Sequence, residues 1–131
     1  TWTAGPFTIE ARRVLHATAS HGYRVSITAD PAAPGLVYSG DCARWEDLVP
    51  LIRPGDTLLS EAFWGAGPAD PGAMHLTADD AAQAAVAGGA GRLVLTHLGE
   101  EADPAAALDA ARRRFSGPVL RATPGLQVPI D

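Results

Sequence analysis

The second half of the chain alternates short apolar segments with segments of helical character. Residues 36–38, 57–62 and 92–96 carry apolar residues at adjacent positions, which is typical of strands that are covered on both faces. A shorter segment of the same kind lies at 119–121. Helices are predicted after Thr77, where Asp80 completes a capping box, and from Asp103-Pro104 to Phe115. This alternation predicts the α/β class, with helices packed on a sheet.

The first half has a different pattern. Apolar and polar residues alternate from Phe7, which predicts a strand ending near His16, and again over residues 23–28, with a loop at 17–22 between them. Trp45, Leu48, Val49 and Ile52 recur at helical spacing, so a helix is predicted there, and residues 126–128 are predicted to form a last short strand.

Composition excludes several classes of protein. The 131 residues suit one domain, and the single cysteine excludes an internal disulfide or a cysteine-rich zinc site. A net charge of −5 argues against a broad phosphate-binding surface and hence against non-specific nucleic-acid binding. No apolar run approaches the ~20 residues that cross a bilayer, and no secretory signal precedes Thr1, so we expect a cytoplasmic protein without a membrane partner.

Three polar residues follow predicted strands. His16, Asp41 and His97 each stand where a strand ends, and the carboxyl ends of strands in α/β sheets are where ligands bind. Two imidazoles and a carboxylate suit zinc or manganese. Taken singly, each histidine could instead cap a strand or pack at its rim, and Asp41 could be a turn residue.

Other residues leave their roles open. His75 lies in a loop before a capped helix, where it could hold a proton over a bound anion or simply be exposed. Glu61 is either a buried carboxylate beside the site or a surface residue at a strand end. Cys42 is expected to be a buried thiol and not a nucleophile, because no histidine lies near it in sequence. His21 is expected to be structural or solvated.

These segments follow one another in a recognisable order. The sequence reads VLH at 14–16, HGYRV at 21–25, VYSGD at 37–41, DTLLSEA at 56–62, H-x-T from His75 and LVLTH at 93–97. This succession resembles the C-terminal half of the metallo-β-lactamase-fold hydrolases, and within them the branch of ribonuclease Z and related phosphodiesterases. The resemblance covers nearly the whole chain.

The resemblance implies a fold and a site. The family fold is a four-layer αββα sandwich of two similar halves, of which residues 1–131 would be the C-terminal half. His16 matches a ligand of the first metal, Asp41 the aspartate that bridges both metals, and His97 a ligand of the second. His75 matches the histidine that assists the transition state, so His75 and Asp41 are the expected catalytic residues. The implied cofactors are two divalent ions, zinc or manganese.

The sequence departs from the family pattern at two points. The His-x-His-x-Asp-His motif, which supplies the remaining ligands from the N-terminal half, is absent. We therefore expect this chain alone to be inactive, and to pair with the missing half or with another chain, as in a homo-oligomer. After His97 comes Leu98-Gly99-Glu100 in place of the serine and Arg-Tyr pair of tRNA-processing members, which argues against tRNA as a substrate.

The expected activity is hydrolysis of a phosphodiester by a hydroxide held between two metal ions. A sulfate ester, a lactone or a thioester is the alternative substrate class. A second hypothesis is a non-catalytic assembly module descended from the same fold. The joint presence of His16, Asp41, His75 and His97 argues against that module.

Overall fold

A computed structural model describes residues 1–70, 72 and 74–130 of the chain. The strands are β1 (Trp2–Ala4), β2 (Phe7–Val14), β3 (Ser20–Ile27), β4 (Leu36–Tyr38), β5 (Thr57–Glu61), β6 (Arg92–Thr96) and β7 (Val119–Arg121). The helices are α1 (Ala78–Gly88) and α2 (Pro104–Arg114). The strands form a seven-stranded sheet in the order β1-β2-β3-β4-β5-β6-β7, which confirms the predicted α/β class.

Strand direction changes at the middle of the sheet. Neighbours from β1 to β4 pair antiparallel, whereas β4, β5, β6 and β7 pair parallel. As a consequence β2, β4, β5 and β6 all run the same way, and their carboxyl ends lie at one edge of the sheet. The loops that leave these four strands therefore meet at that edge.

The two helices cover one face of the sheet. Thr77 caps α1 in a complete capping box with Asp80, and Gly89 ends the helix in the left-handed conformation at φ 76°. Asp103 caps α2 ahead of Pro104 at the first helical position. The buried core lies between these helices and the inward side chains of the strands, which include Val37, Leu58, Leu93, Leu95 and Val119.

The opposite face carries two apolar rows. Register aligns Trp2, Ile9, Val25 and Leu36 in one row and Tyr23, Tyr38, Leu59, Val94 and Leu120 in the other. We call this surface the open face. Trp2 is 48% exposed, Tyr38 41% and Leu120 37%, which is high for large apolar side chains. The segment after β7 covers part of the open face and leaves a groove of about 200 Å³ bounded by Leu59, Val94, Leu126 and Ile130.

Most predicted elements are confirmed, with three corrections. The helix predicted over Trp45–Ile52 is wrong: two short 3₁₀ turns, Trp45–Asp47 and Val49–Leu51, stand there instead. Pro50 has no N–H to continue an α-helix, and each turn instead closes with a bond from an N–H to the carbonyl of the third residue back. The loop predicted at 17–22 ends earlier than predicted, because β3 begins at Ser20. His21 therefore lies in this strand and not in a loop.

The third correction concerns the end of the chain. Residues 126–128 belong to none of the strands in the described part, and the Leu126 N–H closes a turn onto the Thr123 carbonyl at 3.0 Å. Strand β1, conversely, is present in the structure but is not predicted, because the first predicted strand begins at Phe7. Both helices have 11 residues, and no helix among the described residues is long and apolar enough to span a membrane.

Candidate functional site

The predicted site residues meet at the edge where the parallel strand ends converge. His16 lies two residues after β2, Asp41 three residues after β4, and His97 directly after β6. His75 reaches the same place from the loop before α1. The ring centroids of His16 and His75 lie 5.0 Å apart, and those of His75 and His97 lie 5.2 Å apart. Residues that are far apart in sequence thus form one cluster.

Asp41 lies between two of the histidines. Its Oδ1 is 3.1 Å from His97 Nδ1, and its Oδ2 is 3.9 Å from His16 Nε2. Each carboxylate oxygen therefore faces a different imidazole. This is an arrangement in which one carboxylate can contribute to two neighbouring cation sites.

A backbone contact fixes the orientation of His16. Its Nδ1 is 2.7 Å from the carbonyl oxygen of Met74. Because a carbonyl oxygen only accepts hydrogen bonds, Nδ1 donates, and the Nε2 lone pair is left to face Asp41. A metal-binding histidine is commonly held in this way through its other ring nitrogen.

Glu61 is buried beneath the cluster and 1% exposed. Its Oε1 lies 2.8 Å from His75 Nδ1 and accepts the N–H of Cys42 at 2.9 Å. Its Oε2 accepts the N–H groups of Phe63 and Leu76 at 3.1 and 3.2 Å. Such a set of donors satisfies an ionised carboxylate, which can only accept. The sequence left Glu61 open between two roles, and the structure places it in the buried one.

His75 is held from two sides. The Glu61 carboxylate contacts Nδ1, and the ring of Phe63 stacks on the imidazole with centroids 4.7 Å apart at an angle of 27°. Nε2 remains as the ring nitrogen that can ligate a cation or transfer a proton. Phe63 was not among the residues singled out in the sequence, because a lone aromatic in a loop has no distinguishing spacing.

The loop that carries Asp41 depends on its glycine. Gly40 has φ 60°, and a Cβ there would collide with the His21 carbonyl oxygen. His97 also has a positive φ, 50°, which is uncommon for a residue with a side chain and is typical of functional sites. The backbone is thus left-handed on both sides of the Asp41–His97 contact.

Electrostatics excludes Cys42 as a nucleophile. Burial, with the negative charges of Asp47 and Glu61, raises the pKa of its thiol to about 12, which a backbone hydrogen bond at Arg44 lowers only in part. The thiol therefore stays protonated at neutral pH, as the sequence predicted. Partial burial, with the negative charges of Asp41 and Glu61, raises the pKa of Tyr38. His21 is exposed on β3 and lies outside the cluster.

Two overlapping groups of side chains could hold a metal ion. His16, Asp41 and His75 offer ligand atoms within 4.8 Å of one another, and so do Glu61, His75 and His97. Glu61 is poorly suited to a metal ion in the second group, because its oxygens already accept backbone N–H donors and contact His75 Nδ1. The donor set of imidazole nitrogen and carboxylate oxygen is the one that zinc and manganese accept.

A cleft of about 790 Å³ adjoins the cluster behind Phe63. The loop after β5 contributes Trp64, and the loop after His97 contributes Gly99, Glu100 and Glu101. Both loops leave the edge of the sheet that carries the histidines. The carboxylates of Glu100 and Glu101 give this cleft a negative rim.

The chain has relatives of known family. Residues 2–98 match the family described as the β-lactamase superfamily domain. The chain is 37% identical over 117 residues to the uncharacterized protein Rv1339 of Mycobacterium tuberculosis, covering 89% of this chain and 42% of that protein. It is 37% identical over 97 residues to ribonuclease Z of Myxococcus xanthus, covering 71% and 32%.

A solved structure agrees with these matches. The crystal structure of the metallo-β-lactamase fold protein YhfI from Bacillus subtilis superposes with a TM-score of 0.86 at 30% identity, over 95% of this chain and 50% of that one. The chain therefore spans half or less of the length of these relatives. It belongs to the β-lactamase superfamily and has the metallo-β-lactamase fold, and within that fold it falls in the ribonuclease Z-like branch.

Proposed function

We propose that the whole protein is a dinuclear metal-dependent phosphodiesterase and that this chain is the C-terminal half of its four-layer αββα fold. His16, Asp41 and His97 hold two divalent ions, for which zinc is the best match. The observation that carries the proposal is the position of Asp41, with one carboxylate oxygen toward His97 and the other toward His16. Membership of a metallo-hydrolase family supports the general class of reaction.

The ligand count supports the need for a second half. The chain offers two histidines and one shared aspartate to two ions, which is below the three protein ligands of a catalytic zinc site. Further ligands would come from the part of the fold that this chain does not span. When bound, divalent ions supply positive charge to the substrate and lower the pKa of bound water.

His75 then acts on the phosphate without serving as a metal ligand. Glu61 and Phe63 fix its ring, so Nε2 is directed by contacts that do not depend on an ion. A histidine held in this way can give a proton or a hydrogen bond to the leaving oxygen. Asp41, between the two histidines, is the second catalytic residue.

A small substrate suits this chain better than tRNA. The loop after His97 places Glu100 and Glu101 at the cleft beside the site, and carboxylates there repel a polyanion. The net charge of −5 has the same effect. A phosphodiester with one phosphate meets less of this repulsion than a polynucleotide does.

Metal analysis tests the proposal. In the full-length protein, Asp41→Ala and His97→Ala are expected to remove most of the bound metal measured by elemental analysis after gel filtration. His21→Ala is the matched control, because His21 is exposed and outside the cluster, and it is expected to keep the wild-type metal content. Unchanged metal in both site variants would contradict the assignment.

A further inference from the structure

Ser39 occupies an unusual position at the end of β4. It is fully buried, and its backbone N–H continues the parallel ladder onto the Leu59 carbonyl at 3.0 Å. If the ladder continued, its next hydrogen bond would run from the Glu61 N–H to the backbone carbonyl of Ser39. It donates instead to the side-chain oxygen of Ser39, at 2.9 Å. The hydroxyl thus replaces a backbone acceptor at the point where the chain leaves the sheet.

The same hydroxyl also holds the next residue. Ser39 Oγ donates to the Gly40 carbonyl at 2.7 Å, and Gly40 is the residue whose left-handed backbone turns the chain toward Asp41. A single buried hydroxyl therefore connects the turn before Asp41 with the backbone of Glu61. Both of its hydrogen-bonding capacities, donor and acceptor, are used.

Two further bonds complete the attachment of this loop. The Cys42 N–H donates to Glu61 Oε1 at 2.9 Å, and the Ala43 N–H donates to the Leu15 carbonyl at 2.7 Å. Leu15 is the neighbour of His16, so the loop that carries Asp41 is tied to the ends of β5 and β2. Ser39 supplies the contact at the start of the loop, and backbone N–H groups supply the others.

We propose that Ser39 is a positioning residue for the metal site, which sets the place of Asp41 relative to His16 and His97 through Gly40 and Glu61. This inference rests on the proposed function. Without the hydroxyl, the buried Glu61 N–H loses its acceptor and the Gly40 carbonyl loses its donor. The loop then holds Asp41 less firmly between the two histidines. Loss of groups that orient metal ligands typically weakens metal affinity about 10–100-fold.

The experiment compares two buried serines in the full-length protein. Ser39→Ala removes the hydrogen bonds that the Ser39 hydroxyl makes with the Gly40 carbonyl and the Glu61 N–H. Ser60→Ala is the matched control, because Ser60 is equally buried and its hydroxyl donates to a backbone carbonyl, that of Glu61, without reaching the Asp41 loop. Zinc affinity is measured by competition with a chromogenic chelator, and thermal unfolding is measured on the metal-free proteins.

Ser39→Ala is expected to weaken zinc affinity about 10–100-fold, and Ser60→Ala to change it less than about threefold at a similar loss of thermal stability. Ser39→Thr retains the hydroxyl and is expected to bind zinc as the wild type does. It carries the test alone should Ser39→Ala fail to fold. Wild-type affinity in Ser39→Ala, equal losses in both alanine variants, or a tenfold loss in Ser39→Thr would overturn the inference.

The proposed function is judged separately. Asp41→Ala, measured in the same assay, is expected to lose zinc binding. If Asp41→Ala loses zinc while Ser39→Ala does not, only the role of Ser39 is wrong. If Asp41→Ala binds zinc as the wild type does, the metal site itself is misplaced.

Discussion

One ring nitrogen of His75, Nδ1, is held by the buried Glu61 carboxylate, and its ring centroid lies within 5.2 Å of those of His16 and His97. Glu61 in turn is held by backbone N–H groups from three segments of the chain. The position of Nε2 is therefore set by the folded backbone and not by the flexibility of a loop. A proton donor that is fixed before substrate binds needs no reorganisation during the reaction.

His75→Ala is expected to leave metal content intact and to lower kcat on a nitrophenyl phosphodiester by about 10²–10⁴, the usual contribution of general acid catalysis. The measurement is steady-state turnover of the metal-loaded full-length protein together with elemental analysis. His21→Ala serves as the control for removing a histidine. A variant that loses metal, or that retains full turnover, would show that His75 has a different role.

Residue-scale features differ in how far the sequence predicts them. His16, Asp41 and His97 follow strands that run the same way, so their convergence is predictable from strand direction. The role of Glu61 is not, because a carboxylate at a strand end suits the surface as well as the interior. What decides its burial is the supply of N–H donors from Cys42 and the loop after β5, and those contacts depend on the tertiary fold.

At the scale of elements, a buried ion pair joins the two parts of the sheet at the edge away from the histidines. Arg24 on β3 donates to Asp56, just before β5, from Nε at 2.7 Å and from a terminal nitrogen at 3.0 Å. The Gly35 and Arg53 N–H groups donate to the same carboxylate. Burial acts to raise the pKa of Asp56, but these bonds outweigh it and hold the pKa below its usual value.

This pair gives a pH-dependent stability. Because the folded-state pKa of Asp56 is lower than the unfolded one, its contribution is present above the ordinary value of 3.8 and is lost as pH falls below it. Asp56→Asn is expected to destabilise the protein by about 3–5 kcal/mol at neutral pH, since it leaves the buried Arg24 guanidinium without the carboxylate to which it donates. The free energy of unfolding of this variant is also expected to fall less steeply than that of the wild type as the pH is lowered toward 3.8 and below.

Urea unfolding of the metal-free full-length protein between pH 3 and pH 7 measures both effects. The control is Asp79→Asn, which breaks the Arg114–Asp79 ion pair on the helix surface, where both side chains are more than 40% exposed. Exposed pairs contribute little, so a much smaller change is expected. Equal destabilisation by the two variants would contradict the structural role given to Asp56.

The elements show where sequence patterns are sufficient. The caps of α1 and α2 are local, so Thr77, Asp80 and Asp103 are enough to predict where those helices begin. The segment around Pro50 has helical spacing of apolar residues, but the proline's missing N–H overrides the spacing. Residues 126–128 have the composition of a strand, yet strand formation needs a partner edge, which composition does not reveal.

For the whole molecule, the open face is the main consequence of having helices on one side only. Strand register places five large apolar residues on this face or at its edge, and each is more than a third exposed: Trp2, Phe7, Ile27, Tyr38 and Leu120. Contiguous apolar surface of this kind marks an interface. The proposed four-layer fold would cover this face with its other half.

Residues 1–131 expressed alone are expected to be inactive and to self-associate, as measured by sedimentation velocity and by phosphodiester hydrolysis with added zinc. Leu120→Lys is expected to reduce self-association, because it places a charge on the open face. Val86→Lys is the control, since Val86 is 53% exposed on α1 and lies on the other side of the sheet. A monomeric fragment with metal-dependent turnover would contradict the assignment as half a domain.

The shared direction of β2, β4, β5 and β6 also determines where the chain can be altered. The turn between β3 and β4, at residues 28–35, connects strands at the edge away from the histidines, and residues 28–32 are exposed. Insertions are tolerated at exposed loop tips whose backbone contributes little to the core. A fluorescent reporter or an affinity peptide inserted near Pro31 would therefore leave the histidine cluster in place, and would give a means of following the protein in living cells.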